Sequence, residues 1–258
     1  AKGALTEEEL ASRLSRISFT TDLDSELVRR ADLVIEAVFE DMKIKRDIFA
    51  KLEARCRPDT IFCTNSSVMS PSEISAELQH RERFVGTHFW NPGHLIPLVE
   101  VVKSDASSDE VAQTVMDVLA SAGKEPVLCK KDVPGFIANR MQHALWREAI
   151  SIVERGIADA ATVDKAVRYS FGLRLPQLGP MENADMVGTD LTYNIHDYIL
   201  KDLEDSHEPS PLLKKLRDEG KIGFKTGEGF QTWTPGQIKA SNEGLNDYLV
   251  DMLYGKKK

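Results

Sequence analysis

Two residues able to exchange a proton stand twelve positions apart, His88 and Glu100. They lie in the stretch Val85-Gly-Thr-His-Phe-Trp-Asn-Pro-Gly-His-Leu-Ile-Pro-Leu-Val-Glu100. His88 ends one apolar run. The chain turns through Asn91-Pro92-Gly93, and a second apolar run leads to Glu100. A histidine and a glutamate brought together across such a turn can form a base and the carboxylate that orients it. A structural histidine satisfied at a strand end fits the same spacing, and the pair alone does not decide between the two.

The remaining candidates read more plainly by themselves. Glu40 and Lys45 are surface charges at a helix start, Ser67 is a turn or capping residue, and Asn139 is a polar residue early in a helix. His94 is solvated or lines a pocket. His143 and His196 fall on helices, Asp185 and Asp190 at helix ends, and Lys225 in a glycine-rich turn. Cys63 sits in a strand with no histidine at motif distance, which argues against a thiol nucleophile.

The elements that must position these residues alternate over the first half of the chain. Thr6-Glu-Glu-Glu9 opens a helix as a capping box, and residues 17–21 alternate as a short strand. A helical turn follows at 27–30. Residues 32–38 form an apolar run expected for a strand buried on both faces, interrupted by Glu36 near the carboxyl end, where α/β proteins place ligands. Ile44, Ile48, Phe49 and Leu52 recur at helical spacing. Strands are expected over 60–64, 83–88, 95–102 and 126–129. Ser70-Pro-Ser-Glu73 starts a helix. Ser107-Ser-Asp-Glu110 caps another, with Val111, Val115, Val118, Leu119 and Ala122 in one stripe. Such alternation implies a parallel or mixed sheet covered by helices.

At Asp132-Val-Pro-Gly-Phe136 the texture changes to helices. One is expected over 136–154, with Ile137, Met141, Leu145, Ala149 and Ile152 on one side. Others are expected near 161–169, 186–202, 211–219 and 235–253. The expected domains are therefore 1–131 and 132–258, and 258 residues suffice for two cores.

Apolar residues make up 41% and charged residues 29% of the chain, ordinary values for a globular protein. A net charge of −8 argues against nucleic-acid and anionic-membrane partners. Three cysteines without metal-ligand spacing suggest reduced thiols in a cytosol-like compartment. No apolar run is long enough to span a membrane.

In order along the chain, several stretches resemble the 3-hydroxyacyl-CoA dehydrogenase family. Ala31-Asp-Leu-Val-Ile-Glu-Ala-Val-Phe-Glu-Asp-Met-Lys-Ile-Lys45 resembles its strand-to-helix turn, and Thr64-Asn-Ser-Ser67 its serine loop. His88-Phe-Trp-Asn-Pro92 with Glu100 is similar to its catalytic hairpin, and Lys131-Asp-Val-Pro-Gly-Phe-Ile-Ala-Asn-Arg140 to its domain junction. Gly179-Pro180 and Lys225-Thr-Gly-Glu-Gly-Phe230 resemble its C-terminal signatures.

The resemblance implies an α/β Rossmann-type dinucleotide-binding domain followed by an all-α C-terminal domain that forms a dimer contact. It implies NAD as cofactor and oxidation of a short-chain 3-hydroxyacyl-CoA in fatty acid metabolism, by a homodimer; the cysteine usage places it in the cytoplasm. His88 would be the base, Glu100 its orienter, Ser67 the partner of the substrate hydroxyl, and Asn139 a residue positioning the substrate carbonyl. Glu40, Lys45, Ser67 and Asn91 would lie toward the cofactor.

Two departures stand out. The family opens with a strand and a Gly-x-Gly-x-x-Gly turn that cradle the pyrophosphate. This sequence has no such motif, and the expectation is that it represents the native chain incompletely. Second, Pro97 occupies a position that is commonly lysine in the acyl-CoA enzymes. The hairpin therefore also resembles relatives acting on small hydroxy acids, of gulonate or pyridine-carboxylate type. A non-catalytic, crystallin-like member is the third reading.

Overall fold

The computed structural model describes residues 5–255. The chain divides into two compact units, Ala1–Ile137 and Ala138–Lys258.

The first unit is built on one five-stranded sheet, β1 (Leu33–Glu36), β2 (Ile61–Thr64), β3 (Phe84–Phe89), β4 (Leu98–Lys103) and β5 (Glu125–Cys129), in that spatial order. All neighbours are parallel except β3 and β4, which form an antiparallel hairpin. The helices are α1 (Glu7–Leu14), α2 (Glu26–Arg29), α3 (Met42–Glu53), α4 (Pro71–Ile74) and α5 (Asp109–Ser121). Polar caps start most of them: the Thr6–Glu9 box opens α1, Asp41 caps α3, Ser70 caps α4 and Ser108 caps α5.

Side chains alternate across the sheet with the period of two that a strand imposes. Phe62 pairs with Phe84, and both pack with Phe49 of α3; the Phe49 and Phe84 rings lie 4.8 Å apart. Cys63 pairs with Val85, and both pack on the opposite face with Val115 and Leu119 of α5. The register carries the first face across the sheet. Glu36 pairs with Thr64, Thr64 with Gly86, and Gly86 with Val102, while His88 pairs with Glu100. The α3 face of the sheet thus carries, near the carboxyl ends of β1–β3, both the expected base and a buried carboxylate.

Several expectations are corrected. Residues 17–21 are not a strand; Phe19 is 91% exposed, and no described strand pairs with the segment. Alternation favours a strand only where a neighbouring edge satisfies its backbone groups. β1 is not buried on both faces, because α5 packs on β3–β5 and leaves Ile35 of the edge strand exposed. In α5 the buried stripe is Ala112, Val115 and Leu119, and Val118 faces solvent. The helix expected over 136–154 begins later, since Phe136 and Ile137 belong to a turn.

The second unit is helical: α6 (Ala138–Glu154), α7 (Ala160–Arg168), α8 (Phe171–Arg174), α9 (Pro180–Val187), α10 (Thr189–Ile199), α11 (Pro211–Asp218) and α12 (Pro235–Tyr254). The helix expected over 186–202 is interrupted by Gly188, whose φ of 103° breaks the helical path between α9 and α10.

Candidate active site

The β3–β4 hairpin sets His88 and Glu100 directly opposite each other, so their side chains share a face. His88 Nδ1 lies 2.8 Å from Glu100 Oε2. Glu100 is fully buried and His88 nearly so. The Trp90 indole donates to the same Oε2 at 3.2 Å, and the Ile137 backbone N–H donates to Oε1 at 2.9 Å. A carboxylate only accepts, so His88 donates through Nδ1–H, and in the neutral ring Nε2 keeps its lone pair. The arrangement suits a base whose second nitrogen is fixed by a carboxylate.

The turn after β5 completes this support. Gly135 and Phe136 both have positive φ, 76° and 51°. For a phenylalanine that conformation costs on the order of 1 kcal/mol or more. It accompanies two contacts: the buried Phe136 ring packs 5.7 Å from the His88 ring, and the next residue is Ile137, whose N–H meets Glu100. Trp90 lies against the imidazole as well, 5.6 Å away. The Asn65 carboxamide oxygen accepts from the Phe89 N–H at 2.9 Å, tying the loop after β2 to the end of β3.

A second network forms at the carboxyl ends of β1 and β2. Lys45 is 1% exposed, which corrects its reading as a surface charge. Its ammonium meets Glu36 Oε1 at 2.8 Å, Glu36 Oε2 at 3.1 Å and Glu40 Oε2 at 3.2 Å. Glu36 also accepts from the Val38 N–H at 2.6 Å and the Thr64 hydroxyl at 2.7 Å. Glu40 Oε1 accepts from the Ser66 hydroxyl and from the N–H groups of Ser67 and Val68. Partial burial pushes the Glu40 pKa upward, but Ser66, Lys45 and the Val68 N–H more than offset it and hold the carboxyl below its ordinary value. Glu40 itself remains partly exposed, flanked by the exposed apolar residues Val38, Phe39 and Val68.

The expected site residues fall into four places. His88 and Glu100 meet. Glu40, Lys45 and the Ser67 backbone meet in the second network, with the Ser67 side chain exposed. Asn91 is exposed in the hairpin turn. Asn139 stands in the first turn of α6, in the second unit. His94, His143, His196, Asp185, Asp190 and Lys225 are all exposed. Burial pushes the Cys63 thiol up to about 12, so it carries no thiolate at neutral pH.

The sequence assigns no site role of their own to Ser66, Trp90, Phe136 and Ile137, and it marks Glu36 as an interruption near the carboxyl end of a strand, where such sheets place ligands. Among the described residues, no cluster of histidine, cysteine or carboxylate side chains could hold a metal ion. No helix there is long and apolar enough to cross a membrane.

Comparison with known proteins agrees with this architecture. The family model described as 3-hydroxyacyl-CoA dehydrogenase, NAD binding domain, matches residues 1–133, and that described as 3-hydroxyacyl-CoA dehydrogenase, C-terminal domain, matches 135–233. The chain is 36% identical over 224 residues to 5-formyl-3-hydroxy-2-methylpyridine 4-carboxylate 5-dehydrogenase of Mesorhizobium japonicum, covering 87% of this chain and 72% of that one. It is 39% identical over 226 residues to the mitochondrial hydroxyacyl-coenzyme A dehydrogenase of Homo sapiens, covering 87% and 70%. Among solved structures, a 5-formyl-3-hydroxy-2-methylpyridine 4-carboxylic acid 5-dehydrogenase, an NAD+-dependent dismutase, superposes with a TM-score of 0.86 at 35% identity, covering 91% of this chain and 75% of that one.

Proposed function

The chain belongs to the 3-hydroxyacyl-CoA dehydrogenase family, as an NAD-dependent oxidoreductase of that type, and from that premise we propose that it oxidises a short-chain 3-hydroxyacyl-CoA to the 3-ketoacyl-CoA with His88 as general base. The observation that carries this reading is the buried His88–Glu100 pair, with its tautomer set by an acceptor-only carboxylate.

The residues present fit a nicotinamide nucleotide. Exposed apolar groups surround the hydrogen-bonding Glu40 at the carboxyl edge of parallel strands, where α/β sheets take such ligands. A bound NAD would supply the acceptor for the hydride that leaves C3 of the substrate. His88 Nε2 takes the hydroxyl proton as the carbonyl forms, so negative charge does not accumulate on the oxygen. Glu100 holds the ring and stabilises the imidazolium. In the reverse direction the same imidazolium returns the proton. The Ser67 hydroxyl bonds the substrate hydroxyl. Asn139 positions the substrate carbonyl, a role that rests on the family resemblance alone. Glu40 and Asn91 face the cofactor, and Lys45, being buried, acts through Glu40.

The similarity to a pyridine-carboxylate dehydrogenase, together with Pro97 in the hairpin, favours a second reading: a small hydroxy acid or alcohol without CoA. Against a crystallin-like role stand the enzymes among the relatives and the intact buried pair. The reading extends to a cytoplasmic homodimer in fatty acid metabolism; three cysteines without a disulfide are compatible with a reducing compartment.

NADH oxidation with acetoacetyl-CoA, run beside NAD reduction with free hydroxy acids, separates the two substrates. Turnover with the thioester is expected. Turnover with a free acid and none with the thioester would replace the first reading by the second.

A further inference from the structure

We propose that Glu36 is a positioning residue for the cofactor end of the site: it fixes Lys45, Lys45 fixes Glu40, and Glu40 fixes the loop at Ser66, Ser67 and Val68. This rests on the reading that Glu40 faces NAD.

The division of labour follows from where each carboxylate stands. Glu36 is the last residue of β1, its side chain is 1% exposed, and it accepts four hydrogen bonds. Two come from Lys45, one from the Thr64 hydroxyl at the end of β2, and one from the N–H of Val38. The last of these ties back the very segment that leads to Glu40. Glu40 stands on that segment, with its side chain 38% exposed. Lys45 donates to both oxygens of Glu36 and forms an ion pair with Glu40 Oε2 at 3.2 Å.

If neutralising a buried lysine were the only need, Glu36 would meet it alone. The ammonium instead also pairs outward with Glu40, whose other oxygen receives the Ser66 hydroxyl and the N–H groups of Ser67 and Val68. The rigid carboxylate belongs to the strand and the adaptable one to the loop, so orientation is passed from sheet to loop. Groups that meet a ligand are held best when their own supports are locked.

The test uses the full chain and NADH binding measured by fluorescence titration, which needs no turnover, together with thermal melting and steady-state rates. Glu36→Gln should weaken NADH binding roughly tenfold or more and raise KM for NAD by a larger factor than it lowers kcat. Removing one partner of a buried pair can also cost the fold. The double variant Glu36→Gln/Lys45→Met, which removes both charges, should therefore recover most of the melting temperature while NADH binding stays weak. Unchanged NADH affinity in a folded Glu36→Gln protein overturns the inference and leaves the family reading standing. Recovery of both melting temperature and NADH affinity in the double variant also overturns it, since the pair would then serve only the fold. Absence of NADH binding by the unaltered chain overturns the cofactor reading and this inference with it.

Discussion

His88 and Glu100 differ in what their removal would leave behind. Glu100 receives the imidazole, the Trp90 indole and the Ile137 N–H, all donors, in a fully buried position. Glu100→Gln replaces one acceptor oxygen by a donor NH2, so at least one of these groups loses its partner. The expected outcome is a loss of about 1–3 kcal/mol in stability and a fall in kcat smaller than that of removing His88, because in the proposed mechanism Glu100 orients the base and carries no proton itself. Urea denaturation and initial rates measure the two effects. A variant silent in both would remove Glu100 from the dyad. At this scale the chain was partly legible. His88 and Glu100 could be paired on paper because a turn signal, Asn91-Pro92-Gly93, lies between two apolar runs. Lys45 could not be read in the same way. A lysine at a helix start looks solvated until the fold brings Glu36 of the neighbouring strand against it.

Gly86 shows why the elements must fit as closely as the residues. It sits in β3 on the α3 face, paired with Thr64 on one side and Val102 on the other. A Cβ added there would stand 3.0 Å from Pro71 Cγ and 3.1 Å from Val102 Cβ. The absence of a side chain lets α4 close on the sheet one register step before His88. Gly86→Ala should destabilise the protein by about 1–3 kcal/mol through overpacking, read as a lower urea midpoint. Stability equal to wild type would show that the packing of α4 on β3 gives way easily. Strand and helix identities followed from periodicity and caps for β1–β5, α3 and α5. Two features did not follow. The alternation at 17–21 carries no information about whether an edge is available, and the stripe of α5 could be rotated by one residue without violating its helical spacing. The turn at Gly135-Phe136 was visible as a boundary. That it delivers an N–H to Glu100 depends on a left-handed phenylalanine that no sequence rule would favour.

At the scale of the whole molecule, the two units differ in how fully they bury themselves. The first has cores on both faces of its sheet. Among the described residues of the second, Ser151 is the one buried, while Met141, Leu145, Trp146, Tyr193, Tyr198 and Leu245 are all exposed. The second unit also holds an open hollow of about 1080 Å3 lined in part by Trp146, Ile150, Phe224, Phe230 and Trp233. Apolar surface of this extent is expected to be covered in solution, which supports the proposed homodimer. Sedimentation velocity at micromolar concentration should give twice the mass of the chain, and a monomer across that range would contradict the proposal. Periodicity made the helical character of this unit legible, apart from α8, most of α9 and the break at Gly188. The extent of its exposed apolar surface was not, because a helix stripe reads the same whether it packs within its own chain or outside it.

The central claim is that His88 is the base in an NAD-dependent oxidation. The most direct measurement compares wild type with His88→Gln in NADH-linked turnover of acetoacetyl-CoA, with NADH affinity measured in parallel. The expected result is a loss of roughly 10²–10⁴-fold in kcat with NADH affinity nearly intact; a His88→Gln enzyme retaining a near-normal rate would remove His88 from the mechanism.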